Sequence, residues 1–436
     1  MISAVKAAQR LDSRGNPTVQ VRITTDKGQF QALVPSGASK GDYEAIELRD
    51  DNKDVYGGKG VETAVHNVEN VLGPALIKAK LDVATDLKKI DALLREVDGS
   101  KDKSKLGANA ILGISMACAR AGAAARGVPL YEFLREESGS KKPYVMPVPF
   151  FNVLNGGVHS GNTMAFQECM IAPVGARSMA HAVQMGSEVY QEPKKVLTKA
   201  FGPTATGIGD EGGFAPPISQ PHEALDLLVT AVENCGYTGR IKFAIDPASS
   251  EFYRGGEYDL GFKGKTSEKY TGEKLGDLYR QLLDKYPIIL LEDPYAQDDW
   301  PSWTAFHKTC PVELVGDDLL ATNVDRIGEA KEKTACNSLL LKINQIGTIT
   351  EALSAAKMAY ELGWSVFVSH RSGETTDDFI ADLTVGLRTG HLKSGSPCRG
   401  ERVAKYNRLM DIEDEIKASG AEVMYAGVEL RTVHSA

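Results

Sequence analysis

The chain has 436 residues, 42% of them hydrophobic and 25% charged, enough apolar sequence for the cores of two domains. Its formal net charge of −8 argues against nucleic acid as the main partner. The sequence is read as having no apolar run of about 18 residues and no signal-like start, so no transmembrane segment and a cytoplasmic location are expected. Cys118, Cys169, Cys235, Cys310, Cys336 and Cys398 have no paired spacing and read as reduced thiols.

Residues 1 to 140 read as an α+β unit. Met1 leads into strand-like sequence, and NPTVQVRITTDKGQFQALVPSG alternates polar and apolar residues on both sides of Asp26-Lys27-Gly28, which predicts a hairpin. VETAVHNVENVLGPALIKA, DVATDLKKIDALLREVDG and GANAILGISMACARAGAAARG predict three helices. The last is apolar almost all round and should be packed on both sides. Between hairpin and helices lies PSGASKGDYEA, residues 35 to 45, too rich in Gly and Ser for regular structure. It is either a lid or a plain connection.

A second unit, residues 141 to 436, is expected after the polar run REESGSKKPY. VMPVPFFNVLNGGVHSGN predicts a strand and a glycine-rich loop containing His159, and MAFQECMIAP predicts a strand with Gln167 and Glu168 in its middle. GIGDEGGFAPPI sets Asp210 and Glu211 between glycines. Five apolar runs then end in polar groups: IKFAID in Asp246, IILLED in Glu292 and Asp293, VELVGDD in Asp317 and Asp318, SLLLK in Lys342, and WSVFVSHRS in His370, Arg371 and Ser372. Asp246, Glu292, Asp317, Lys342 and His370 stand 46, 25, 25 and 28 residues apart. A repeat of about 25 residues is one strand plus one crossover helix. DRIGEAKEKT and TITEALSAAKMAYELG supply such helices. In a closed (β/α) barrel the carboxyl ends of the strands share one face, where the active site lies. An unpaired buried carboxylate costs several kcal/mol, so acids gathered there call for a cation. Asp293 and Asp318, one residue on, are expected to face the other side of their strands. ERVAKYNRLMDIEDEIKAS predicts a closing helix.

SGAS (36 to 39), NGGVHSGN with Gln167-Glu168, GDEGG (209 to 213), Asp246, LLEDP (290 to 294), GDDL (316 to 319), LLLKINQIGT (339 to 348), SHRSGET (369 to 375) and Lys393 together resemble the enolase family. The resemblance runs over essentially the whole chain. It implies an α/β fold: a modified (β/α)8 barrel over 141 to 436, whose first helix and second strand run against the usual direction. It also implies a smaller α+β domain over 1 to 140 that carries a mobile active-site loop, and a homodimer formed through that domain. The implied activity is glycolytic: reversible dehydration of 2-phosphoglycerate to phosphoenolpyruvate through an enolate, with two Mg²⁺ per site.

By the same resemblance, Asp246, Glu292 and Asp317 hold one Mg²⁺ and meet the substrate, and Ser39 reaches the second. Lys342 is the base, its pKa depressed by the two ions. Glu211 is the acid, with Glu168 beside it. Arg371 and Ser372 clasp the phosphate, Lys393 meets the carboxylate, and His159 and His370 close around the reacting end. Gln167 and Ser369, within the matching motifs, join the substrate-binding set. Oxygen-only ligands suit Mg²⁺ better than zinc. Lys40 follows Ser39 where family loops usually carry threonine, which is expected to raise the Mg²⁺ requirement. Two other readings stay open: a weak paralogue kept for a structural or surface role, and a superfamily enzyme acting on a non-phosphorylated acid. The first should lack an acid, base or ligand, and the second tends to carry Lys-x-Lys where LLLKIN offers one lysine.

Overall fold

Strands Ile2–Leu11, Pro17–Thr25 and Gly28–Leu33 form an antiparallel sheet, with the last two joined at Asp26-Lys27 as the alternation predicts. The protein is described by a computed structural model over residues 1–38, 40–141 and 143–434. Ser39 therefore lies outside the described residues.

Helix Ala108–Arg126 packs on this sheet and on the neighbouring helices. A side chain at Gly113 would bring its Cβ to 2.5 Å from Val21 Cγ2, so the close approach of helix to sheet needs glycine there. Contrary to the sequence reading, this helix is long and apolar enough to cross a membrane by length and composition. However, 83% of its apolar window is buried inside the protein, which is why it is apolar on every side. The first predicted helix is three joined pieces, Glu62–Asn67, a π turn at Val68–Leu72, and Gly73–Ala79. The second is shorter than predicted, Leu87–Asp98. Helix Leu130–Ser138 runs into the start of the polar stretch read as a boundary, because its charged residues surround a buried stripe of Tyr131, Phe133 and Leu134.

Eight strands close the barrel: Val148–Asn155, Glu168–Ala172, Lys242–Asp246, Ile288–Glu292, Glu313–Gly316, Ser338–Leu341, Ser365–Ser369 and His391–Lys393. The second is antiparallel to both neighbours, and every other pair is parallel. Helices Met179–Phe201 and Pro221–Asn234, absent from the sequence reading, come between the second and third strands. The gap of 46 residues holds a small sheet of Tyr253–Arg254, Glu257–Asp259 and Lys269–Tyr270, followed by helix Gly272–Lys285. The closing helix is Gly400–Ala418.

The barrel interior is layered by the two-residue period of its strands. One layer is apolar: Phe150, Met170, Ala244, Leu290, Val315, Leu340 and Phe367, one from each of seven strands, all buried in one cluster. The eighth strand contributes His391, stacked on Phe367 with ring centroids 4.7 Å apart. Each of the Phe, Met, Leu and Val side chains contributes about 1.5–3 kcal/mol by leaving water. Two residues further towards the mouth, every strand carries a polar residue: Asn152, Glu168, Asp246, Glu292, Asp317, Lys342, Ser369 and Lys393. Glu168 reaches this level from the start of its strand because that strand runs the other way.

Below the apolar layer, Glu313 is sealed in the barrel. It accepts from Ser365 Oγ at 2.6 Å and lies 2.8 Å from His391 Nε2. Burial opposes its ionisation, but His391 and Ser365 outweigh that and hold its pKa down to about 2. A carboxyl with a depressed folded pKa adds stability above its unfolded pKa and loses it as pH falls through the folded one. Glu313→Gln is therefore expected to cost about 3 kcal/mol at neutral pH. Urea unfolding at several pH values should show the deficit narrowing from pH 4.5 towards 2.

Candidate active site

The polar ring forms the floor of a cavity at the carboxyl ends of the parallel strands. Lys393 Nζ, from the eighth strand, lies 3.0 Å from Glu168 Oε1, 2.7 Å from Glu292 Oε2 and 3.3 Å from Asp246 Oδ2. Three buried carboxylates thus share one ammonium, leaving two negative charges unbalanced if all ionise. Burial accordingly raises the pKa of all three, Asp246 to about 6. Across the ring, Lys342 Nζ lies 2.5 Å from Asp317 Oδ2, and Gln345 Nε2 donates to Asp317 Oδ1 at 2.7 Å. Burial alone would raise the Asp317 pKa, but the Lys342 and Lys393 ammonium groups outweigh it and lower it. Burial likewise works against the charge on Lys342, yet Asp317 prevails and its pKa is raised. The depression expected from the sequence is therefore not a property of the side chains alone.

Above the floor stand the acid and the imidazoles. Glu211, in a loop between short turns, accepts from Asn152 Nδ2 at 2.9 Å through Oε2. Its Oε1 is 3.5 Å from both His159 Nδ1 and His370 Nε2. Burial lowers the His159 pKa to about 4. Burial also lowers that of His370 well below its usual value, helped by Arg402. Lys263, from the insert before the fourth strand, donates to the carbonyls of Gly157 and Ser160 and so ties down the loop carrying His159. His370, Arg371 and Ser372 follow directly from the seventh strand. Gln167 Oε1, Glu168 Oε2, His159 Nδ1 and His370 Nε2 are buried without a hydrogen-bond partner among the described residues, a pattern expected where a polar ligand completes the site.

The described residues of the loop over 35–45 lie across the mouth. Ser36 pairs with Gly373, and the Ala38 amide donates to Ser372 Oγ at 2.6 Å. Glu44 accepts from Arg371 Nη1 at 2.9 Å and Nη2 at 3.2 Å, a two-pronged buried ion pair. Tyr43 OH donates to Asp298 Oδ1 at 2.9 Å, with the Arg326 guanidinium 3.9 Å above its ring. Free space inside is about 30 Å³, room for about one water molecule. Lys40 turns away to Glu47, 3.9 Å off, with half its side chain exposed.

Residues 2–134 match the family model described as "Enolase, N-terminal domain", and residues 143–434 match "Enolase, C-terminal TIM barrel domain". The chain belongs to the enolase family. Membership accounts for the barrel with its reversed second strand, and makes the protein a lyase-type enzyme acting on a small molecule. Enolase-family enzymes are Mg²⁺-dependent, and the described residues include two groups of side chains able to hold a metal ion. They are His159, Glu168 and Glu211, and Asp293, Asp317 and Asp318, with donor atoms within 4.8 Å of one another in each group.

The enolase motifs converge. Gln167, Glu168, Glu211, Asp246, Asp317, Lys342, His159, Ser369, His370, Arg371, Ser372 and Lys393 all line the one cavity, and Glu292 lies directly beneath, bound to Lys393. Asp246 and Glu292 reach a common point, where the Lys393 ammonium sits, whereas Asp317 is turned to Lys342 and Gln345. The all-oxygen donor set, three carboxyls around one ammonium, fits a divalent cation in kind. Asp293 accepts from the Asp317 and Asp318 amides at 2.8 Å each, bracing the fifth strand's end. Asp293 and Asp318 both differ from the sequence reading: they line the cavity, and burial and Asp317 push the Asp318 pKa up to about 8. Sequence reasoning missed Asn152, Glu44, Gln345 and Arg402. Only Asn152 left a signal, a polar residue in step with inward-facing Phe150.

Proposed function

We propose that the protein catalyses the reversible dehydration of 2-phospho-D-glycerate to phosphoenolpyruvate, the phosphopyruvate hydratase reaction (EC 4.2.1.11), with two Mg²⁺ per site. In this reading it is a cytoplasmic glycolytic enzyme that works as a homodimer. The observation that carries the reading is the convergence, around one cavity, of a lysine amine, a pair of facing carboxyls and an arginine–serine clasp.

The chemistry is hard because a proton α to a carboxylate is far less acidic than any side chain, and its loss puts two charges on one carboxyl group. Divalent cations, when bound, would neutralise that charge; Asp246, Glu292 and Asp317 would hold one and Ser39 the second. A Lys base working beside Mg²⁺ is an established feature of enolase-superfamily sites. Lys342 takes the C2 proton to give the enolate. Glu211 protonates the departing C3 hydroxyl, and Glu168, raised by burial and by Glu211 itself, stands across from it. Arg371 and Ser372 hold the phosphate, the guanidinium as a fork. Lys393 pairs with the carboxylate, and neutral His159 and His370 close the reacting end.

Gly37 and Ala38 line the cavity and Glu44 is tied to Arg371 inside it, so in this reading the loop that carries them opens to admit the substrate. Glu44→Ala removes the loop's buried anchor on Arg371. Hydrogen exchange should then rise at least about tenfold at the Gly41 and Ala45 amides, which donate to Glu44 and to the Gln345 carbonyl.

The test is direct. Addition of 2-phosphoglycerate and Mg²⁺ should produce the ultraviolet absorbance of phosphoenolpyruvate, abolished by a chelator. No signal from well-folded protein would sink this reading.

A further inference from the structure

Arg402 is buried in the closing helix, outside every motif assigned above, yet its guanidinium lies behind the site. Nη1 donates to the Arg371 carbonyl at 2.6 Å and lies 2.5 Å from His370 Nδ1. Nη2 donates to the Ser372 carbonyl at 2.7 Å and the Asp210 carbonyl at 3.0 Å. One side chain thus ties the phosphate clasp to the loop that carries the acid.

A guanidinium has donors only and keeps its charge at any accessible pH. The atom facing it, His370 Nδ1, must therefore present a lone pair. His370 is neutral, because burial and the adjacent Arg402 charge oppose a second proton. A neutral imidazole whose Nδ1 is an acceptor carries its hydrogen on Nε2. That nitrogen is 3.5 Å from Glu211 Oε1, lies at the cavity and has no hydrogen-bond partner among the described residues.

We propose that Arg402 is a positioning residue that locks His370 in the Nε2–H tautomer, so that the imidazole presents a hydrogen-bond donor to Glu211 and to the leaving hydroxyl. The opposite tautomer would put a hydrogen on Nδ1 against the Arg402 cation. The catalytic part of this inference rests on the proposed dehydration; the tautomer itself does not.

The experiment is nitrogen NMR on the full-length protein labelled with ¹⁵N-histidine, with His370 assigned by comparison with His370→Asn. Wild type should show a single His370 tautomer with hydrogen on Nε2. Arg402→Lys, which keeps a cationic donor, should preserve it. Arg402→Gln, whose amide can donate or accept, should give mixed tautomers and lower kcat about 10- to 100-fold, with a smaller rise in KM. Hydrogen on Nδ1 or a doubly protonated ring in wild type overturns the proposal without any variant needing to fold. An unchanged single tautomer in Arg402→Gln overturns it too. A wild-type protein with the Nε2–H signature but no dehydratase activity would instead count against the proposed reaction.

Discussion

Lys342→Ala is expected to lower kcat by about 10³- to 10⁴-fold, the range for loss of a positioned general base. The substitution should leave the fold intact, because Lys342 follows the sixth strand and its charge is used at the cavity, 2.5 Å from Asp317. Asp317 keeps the Gln345 amide as a partner. The effect is therefore chemical, and a second readout separates it from general damage. In heavy water the wild type should exchange the C2 proton of 2-phosphoglycerate for deuterium, and Lys342→Ala should not. An unchanged exchange rate would remove Lys342 from the role of base.

Glu211→Gln is expected to lower kcat about 10²- to 10³-fold with exchange at C2 retained. The amide keeps the shape of the side chain and a group facing Asn152, but has no acidic proton to give the leaving hydroxyl. Proton removal by Lys342 and proton donation by Glu211 are separate events at separate atoms, so only the second should fail. Loss of both turnover and exchange would show instead that Glu211 governs binding or the position of His159 and His370, which flank its Oε1.

Much of the barrel was legible because its strands are short apolar runs that stop at charges. Asp246, Glu292, Asp317 and Lys342 each lie two residues beyond a core residue, respectively Ala244, Leu290, Val315 and Leu340, and the strand period turns both to the inside. The second strand was harder. Gln167 and Glu168 read as mid-strand, whereas the strand starts at Glu168, and only its reversed direction brings that residue to the mouth. Helix Leu130–Ser138 was hidden by its composition, since a one-sided buried stripe in a charged segment looks like a boundary.

The parts of the site that the sequence withheld are those set by tertiary contacts. Glu44 meets Arg371 across 327 positions, and Arg402 reaches His370 across 32 from a different element. No period or spacing encodes such meetings. The lid-or-connection question over 35–45 was of the same kind. Composition ruled out regular structure, but only the contacts to Ser372, Arg371 and Gly373 put the loop over the mouth.

The central claim is that the enolate's second charge is met by a divalent cation held between the third, fourth and fifth barrel strands. Crystals soaked with Mn²⁺ and 2-phosphoglycerate, read by anomalous scattering, test it most directly. The account predicts a peak bounded by Asp246, Glu292 and Asp317, with the Lys393 ammonium displaced towards the substrate carboxylate. A peak confined to Asp293, Asp317 and Asp318, or to His159, Glu168 and Glu211, with Lys393 still bridging Asp246 and Glu292, would contradict it.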